Sequence, residues 1–146
     1  MRILAITYKP KIDAVYRGVC NQTIRAGWKS KVGDKVLLHA WEGAPYRSKW
    51  SWRKTIVLGD VFNIVAYERG FLIRAHEYID SVDRIRVVET GIDDKRMILW
   101  SSDDANYLAS RDFISPPTGE ELKKVLSKWH DLKNGVEMQI LRWRNE

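Results

Sequence analysis

Thr23 and Arg25 stand two residues apart in the segment Gly18-Val19-Cys20-Asn21-Gln22-Thr23-Ile24-Arg25. In an extended chain, side chains alternate, so Asn21, Thr23 and Arg25 share one face while Gln22 and Ile24 share the other. Ile24 then anchors the segment in the core, and the polar face offers a hydroxyl and a guanidinium that can pair bidentately with phosphate. Lys9 and Lys11 flank the turn expected at Pro10 and add two cations to this part of the chain. A second constellation is Tyr46-Arg47-Ser48-Lys49-Trp50-Ser51-Trp52-Arg53-Lys54, three aromatics interleaved with four cations and no acid. That is the composition of a single-strand binding surface, in which rings stack on bases and Lys and Arg follow the phosphates. Trp50 and Trp52 face together if the stretch is extended. The same composition also fits a hairpin whose tryptophans pack on the core, or an aromatic box for a modified base.

Other chemistries have less to stand on. His39, His76 and His130 lie far apart without metal-ligand spacing, and the single Cys20 cannot complete a thiolate zinc site, so no metal and no cofactor are expected. Phosphate loops and dinucleotide fingerprints are absent. No sequence feature brings a histidine to Cys20, which reads as a buried small hydrophobe.

The positioning elements follow from periodicity. Ile3–Tyr8 reads as a buried strand stopped at Pro10, and Ile12, Val15, Tyr16 and Val19 form the apolar stripe of a helix ended by Gly18. Lys35–Trp41 is a strand, followed by a turn at Gly43-Ala44-Pro45. Thr55–Val65 is a long strand with a bulge or sharp bend at Gly59. Glu68-Arg69-Gly70 turns into a strand over Phe71–Ala75. Further strands lie within Tyr78–Glu89 and at Met97–Trp100, with a turn at Gly91–Asp94 between them. Ser101 or Ser102 caps a helix with Ala105, Leu108 and Ala109 on its inner side. Thr118 and Glu121 have capping-box spacing before the stripe Leu122, Val125, Leu126 and Trp129. Val136, Met138 and Ile140 alternate as a final strand, and a one-residue slip at Leu141 and Trp143 suggests a bulge there.

Gly18, Thr23 and Arg25, followed by Val32-Gly33-Asp34-Lys35-Val36, resemble the ASCH domain of the PUA-like superfamily, whose motif runs roughly G-x-K-T-x-T-x-R. Asp112-Phe113-Ile114-Ser115 before a helix, and the last strand, are similar to the family's C-terminal half. Cys20 stands where the family has lysine, and Asn21 where threonine is common. The resemblance implies one domain over residues 1–146. Its fold class would be α+β: a partly closed β-barrel of five to seven strands with two or three flanking helices. It also implies a cleft for RNA or a nucleoside. The branch that hydrolyses acetylated cytidine uses the motif lysine, the motif threonine and a glutamate, so Cys20 leaves catalysis undecided.

Length and charge bound these readings. A 146-residue chain makes one domain with a sufficient core of its own. The absence of a roughly 20-residue apolar run or a signal-peptide pattern gives the expectation of a cytoplasmic protein without a membrane partner. The net charge of +6 is uneven, with +9 through Lys54 and −3 beyond. A polyanion is the natural partner for such a field. The expected function is therefore an RNA or single-stranded nucleic-acid binding module, with a modified nucleoside as a further ligand. Its site would comprise Lys9, Lys11, Gln22, Thr23, Arg25, Tyr46, Arg47, Lys49, Trp50, Trp52 and Arg53. The alternatives are a hydrolase acting on RNA or on a modified nucleoside, and a protein-interaction module using the tryptophan-rich stretch.

Overall fold

A computed structural model describes residues 2–74, 97–99 and 101–144. The strand expected within Tyr78–Glu89, the turn at Gly91–Asp94 and His76 lie outside them. In chain order the elements are β1 (Arg2–Ala5), α1 (Lys9–Tyr16), β2 (Gln22–Ala26), β3 (Lys35–Trp41) and β4 (Trp50–Tyr67). They continue with β5 (Gly70–Arg74), β6 (Met97–Leu99), α2 (Ser102–Arg111), α3 (Gly119–Ser127) and β7 (Val136–Trp143). The fold is α+β. One path through the seven strands runs β1-β3-β4-β5-β6, and β7 lies between β4 and β2. Among the described residues only the β1–β3 pair is parallel. Among the described residues no ladder joins β1 to β2, so the sheet is not closed there.

Strand β4, 18 residues long, organises the sheet. Its first part pairs with β3 and its second with β7 and β5. Gly59 is the extra residue in the β7 ladder, where Leu58 pairs Trp143 but Asp60 pairs Arg142. A one-residue bulge reverses which side chains face each side. Before it, Ile56 and Leu58 point into a core with Leu4, Val15, Val36, Leu38, Leu141 and Trp143. After it, Phe62, Ile64 and Ala66 point into a second core with Ile24, Ile140 and the helical residues Leu108, Leu122 and Leu126. Strand β7 is buried from Met138 to Trp143 because it has one core on each face. The slip expected at Leu141 is therefore two-sided burial, and the bulge belongs to the partner strand.

The caps are those the sequence calls for. Ser101 Oγ accepts from the Asp104 N–H at 3.2 Å and Thr118 Oγ1 from the Glu121 N–H at 3.1 Å, each satisfying a first-turn donor. At Gly18, φ is +78°, which lets the chain leave α1 in a left-handed step. Pro10 lies in the first turn of α1, where its missing N–H costs nothing. The buried face of α1 is Lys11, Ala14 and Val15, while Tyr16 and Val19 of the expected stripe are exposed. Trp129 is also exposed, because α3 ends at Ser127 before the stripe reaches it. No helix among the described residues is long and apolar enough to cross a membrane.

Candidate functional site

The motif strand β2 alternates as its sequence requires. Arg25 Nε donates to Thr23 Oγ1 at 3.2 Å, and Arg25 Nη2 donates to the Ala5 carbonyl at 2.9 Å. The guanidinium thus crosses the open seam from β2 to β1. Thr23 is only 2% exposed, so the face expected to look outward is largely enclosed. Burial works against the charge on Arg25, and the Asp112 carboxylate works for it. The pair fastens the seam.

Gln22 belongs to the opposite face and is fully buried. Its Nε2 donates to the Leu108 carbonyl at 3.2 Å and to Asp112 Oδ1 at 3.4 Å, and its Oε1 accepts from Arg142 Nε at 2.8 Å. Lys11 Nζ donates to the same Asp112 oxygen at 2.8 Å. The Arg142 guanidinium lies 5.3 Å from the Phe62 ring centre. Lys11 was expected in a cleft; it is 4% exposed and its charge is neutralised by a carboxylate from the end of α2. Lys9 is exposed in the first turn of α1. Cys20 Sγ sits 3.5 Å from the carbonyls of Gln22 and Arg111, and burial pushes its thiol up against the pull of the Lys11 ammonium. A thiol held this way is not an activated nucleophile. The sequence reading missed Asp112 and Arg142 as partners. The available signals were a lysine on the inner face of α1 and an arginine between Leu141 and Trp143 in a buried strand.

The tryptophan-rich stretch forms the β3–β4 hairpin. Its tip is tied by the Glu42 N–H donating to the Lys49 carbonyl at 2.9 Å and by Ser48 Oγ, which accepts from the Gly43 N–H and donates to the Ala44 carbonyl. Ladder partners Ala40–Trp52 and Trp41–Trp50 leave Ser51 as a bulge. The bulge corrects the expectation that Trp50 and Trp52 face together. Trp52 turns toward the β1–β3 core and meets Tyr16 at 5.6 Å between ring centres. Trp50 lies on the other face, stacked on His39 at 4.0 Å and 18°. Trp41 meets His39 edge-on at 4.9 Å and Tyr46 at 5.2 Å. Tyr46 is 88% exposed and holds φ at +63°, a left-handed conformation uncommon for a residue with a side chain.

Around these rings Arg47, Lys49 and Arg53 are exposed, and among the described residues no carboxylate pairs with them. Burial pushes His39 below its ordinary pKa, leaving the imidazole neutral at pH 7. The structure therefore gathers Tyr46, Arg47, Lys49, Trp50 and Arg53, adds Trp41 and His39, and turns Trp52 away. Gln22, Thr23 and Lys11 are interior. Arg25 lies between: it bonds to Ala5, whose partner in the β1–β3 ladder is His39, so one strand separates it from the aromatic cluster. Among the described residues no three His, Cys, Asp or Glu side chains come together as a metal site. Comparison with protein-family models, with curated proteins and with solved structures gives no match to this chain.

Proposed function

We propose that the protein is a single-stranded nucleic-acid binding module, with RNA as its ligand. In this reading the chain is ASCH-like, its open sheet is a partly closed PUA-like barrel, and the β3–β4 hairpin is the contact surface. The observation that carries it is the rim itself. Trp41, Tyr46 and Trp50 form a group of rings flanked by three exposed cations that no carboxylate among the described residues pairs with. Tyr46 is exposed and the two tryptophans are half-buried beside it, so the group offers ring surface on which any base can stack, and Arg and Lys release counterions when they meet phosphates. Arg25 supports the same face structurally by holding β1, the neighbour of β3, against β2. The raised thiol of Cys20 at the motif lysine's position favours binding over hydrolysis.

The test is anisotropy of a labelled ten-nucleotide RNA across a salt series. Log affinity should fall linearly with log salt, with a slope of about −0.7 per phosphate neutralised. Replacing Arg47, Lys49 and Arg53 together by Gln should make that slope shallower by about 2, three contacts' worth. Unchanged slope and affinity in the triple variant would remove the hairpin from the interface.

A further inference from the structure

Two polar atoms in the hairpin cluster are left without partners. His39 Nδ1 and Trp41 Nε1 are both buried and neither makes a hydrogen bond. Native interiors rarely leave such atoms unsatisfied, and each instance asks for an explanation. Here both belong to one ring cluster, two residues apart on β3, with their rings 4.9 Å apart. Another such nitrogen among the described residues, Trp143 Nε1, belongs to the β1–β3 core. Two backbone departures flank the same cluster: the left-handed Tyr46 and the bulge at Ser51. Uncommon backbone conformations held by non-glycine residues concentrate at ligand clamps.

We infer that the cluster receives one nucleobase, with Trp41 Nε1 and His39 Nδ1 reading its hydrogen-bonding edge and the rings of Tyr46 and Trp50 taking its faces. The inference rests on the nucleic-acid reading and adds base selectivity to it. The chemistry selects the ligand. Trp41 Nε1 is a donor only, so the ligand must present an acceptor. A neutral imidazole with its proton on Nε2 offers Nδ1 as an acceptor, so the ligand presents a donor beside it. A flat heteroaromatic with donor and acceptor on one edge is a nucleobase. The indole of Trp50 on the His39 ring, nearly parallel at 4.0 Å, already shows the stacking this place supports. A quaternary ammonium, the other usual guest of an aromatic cluster, offers no acceptor to Trp41 and is repelled by Arg47, Lys49 and Arg53. Access requires a ring to move. Tyr46, the most exposed aromatic in the cluster, is the one placed to swing from Trp41.

The experiment compares wild type, His39→Phe and Trp41→Phe on labelled ten-nucleotide homopolymers of A, C, G and U, with choline as a competitor. Each variant keeps a ring and loses the edge-reading nitrogen. Wild type should favour one homopolymer by about tenfold, the worth of a well-made hydrogen-bond pair. Each variant should reduce that preference to about twofold or less at an unchanged salt slope, and choline should not compete. Equal binding of all four by wild type, a preference undiminished in the variants, or competition by choline would overturn the inference while leaving the nucleic-acid reading intact. Failure of every homopolymer to bind at low salt would remove both. Thermal melts establish that each variant is folded, and should His39→Phe not fold, Trp41→Phe decides alone.

Discussion

The buried pair of Lys11 and Asp112 makes a quantitative demand on stability. The two are 4% and 6% exposed, their charged atoms are 2.8 Å apart, and 101 residues separate them in sequence. Removing one partner of a buried ion pair leaves the other charge stranded, at a cost of about 3–5 kcal/mol. The two single variants should not be equal. Lys11→Met leaves Asp112 with the Gln22 amide at 3.4 Å and the field of Arg25, so its loss should sit near the lower end. Asp112→Asn takes the carboxylate at 2.8 Å from the Lys11 ammonium and should sit near the upper end. The double variant strands no charge and should lose less than Asp112→Asn alone, giving a coupling of about 2 kcal/mol or more in a double-mutant cycle. Urea unfolding followed by tryptophan fluorescence reads each value. Additive losses, or equal single losses with no recovery in the double variant, would refute the account of Asp112 as the charge partner that makes Lys11 tolerable inside.

Three further outcomes follow from other parts of the fold. A Cβ at Gly119 would lie 2.6 Å from the Ala105 Cβ, so Gly119→Ala should lower stability by about 1–3 kcal/mol, although the same change in an open helix stabilises; a raised melting temperature would contradict the packing of α3 on α2. Trp52→Ala should destabilise the fold toward the lower end of the about 3–5 kcal/mol seen for core tryptophans and leave RNA affinity per folded molecule unchanged, whereas Trp50→Ala should lower affinity, a contrast that paired melts and anisotropy titrations check. His39 has its folded pKa pushed below 6.5 while the unfolded chain takes up its proton near that value, so the unfolded state binds more protons in between. Stability should therefore fall as pH drops through 6.5 and level off below the folded value; urea midpoints at pH 7.5 and 5 should show this component in wild type and not in His39→Phe.

Local rules carried the reading where local chemistry decides the structure. Gly59 as a bulge, Thr118 and Ser101 as caps, Gly18 as a left-handed stop and Lys35–Trp41 as a strand each depend on a few neighbouring residues, and each has its place in the fold. Misreadings arose where distant chain decides. Val136–Trp143 has one core on each side, which erases the alternation that a one-sided strand displays. Ser51 bulges only because β3 pairs across it, and that single residue sends Trp50 and Trp52 to opposite faces. Lys11 resembles any surface lysine until α2 brings Asp112 to it, and Gln22 any polar strand residue until Arg142 arrives in register from the far end of the chain. For the hairpin, composition sufficed to mark Tyr46, Trp50 and their cations. Trp41 and His39 went unmarked because nothing in a strand's alternation reveals which ring will lie against which.

The doubled role of β4 reaches into how this protein comes apart. Its first half supplies Ile56 and Leu58 to one core and its second half supplies Phe62, Ile64 and Ala66 to the other, on a single uninterrupted run of backbone. A fracture between the two cores would have to pass through that strand and would strip β7 of the ladder it shares with it. Among the described residues the two cores thus share one strand and one ladder, and parting them would cost both. Gly59, the residue at which that strand changes sides, is the joint where the two cores meet on one backbone.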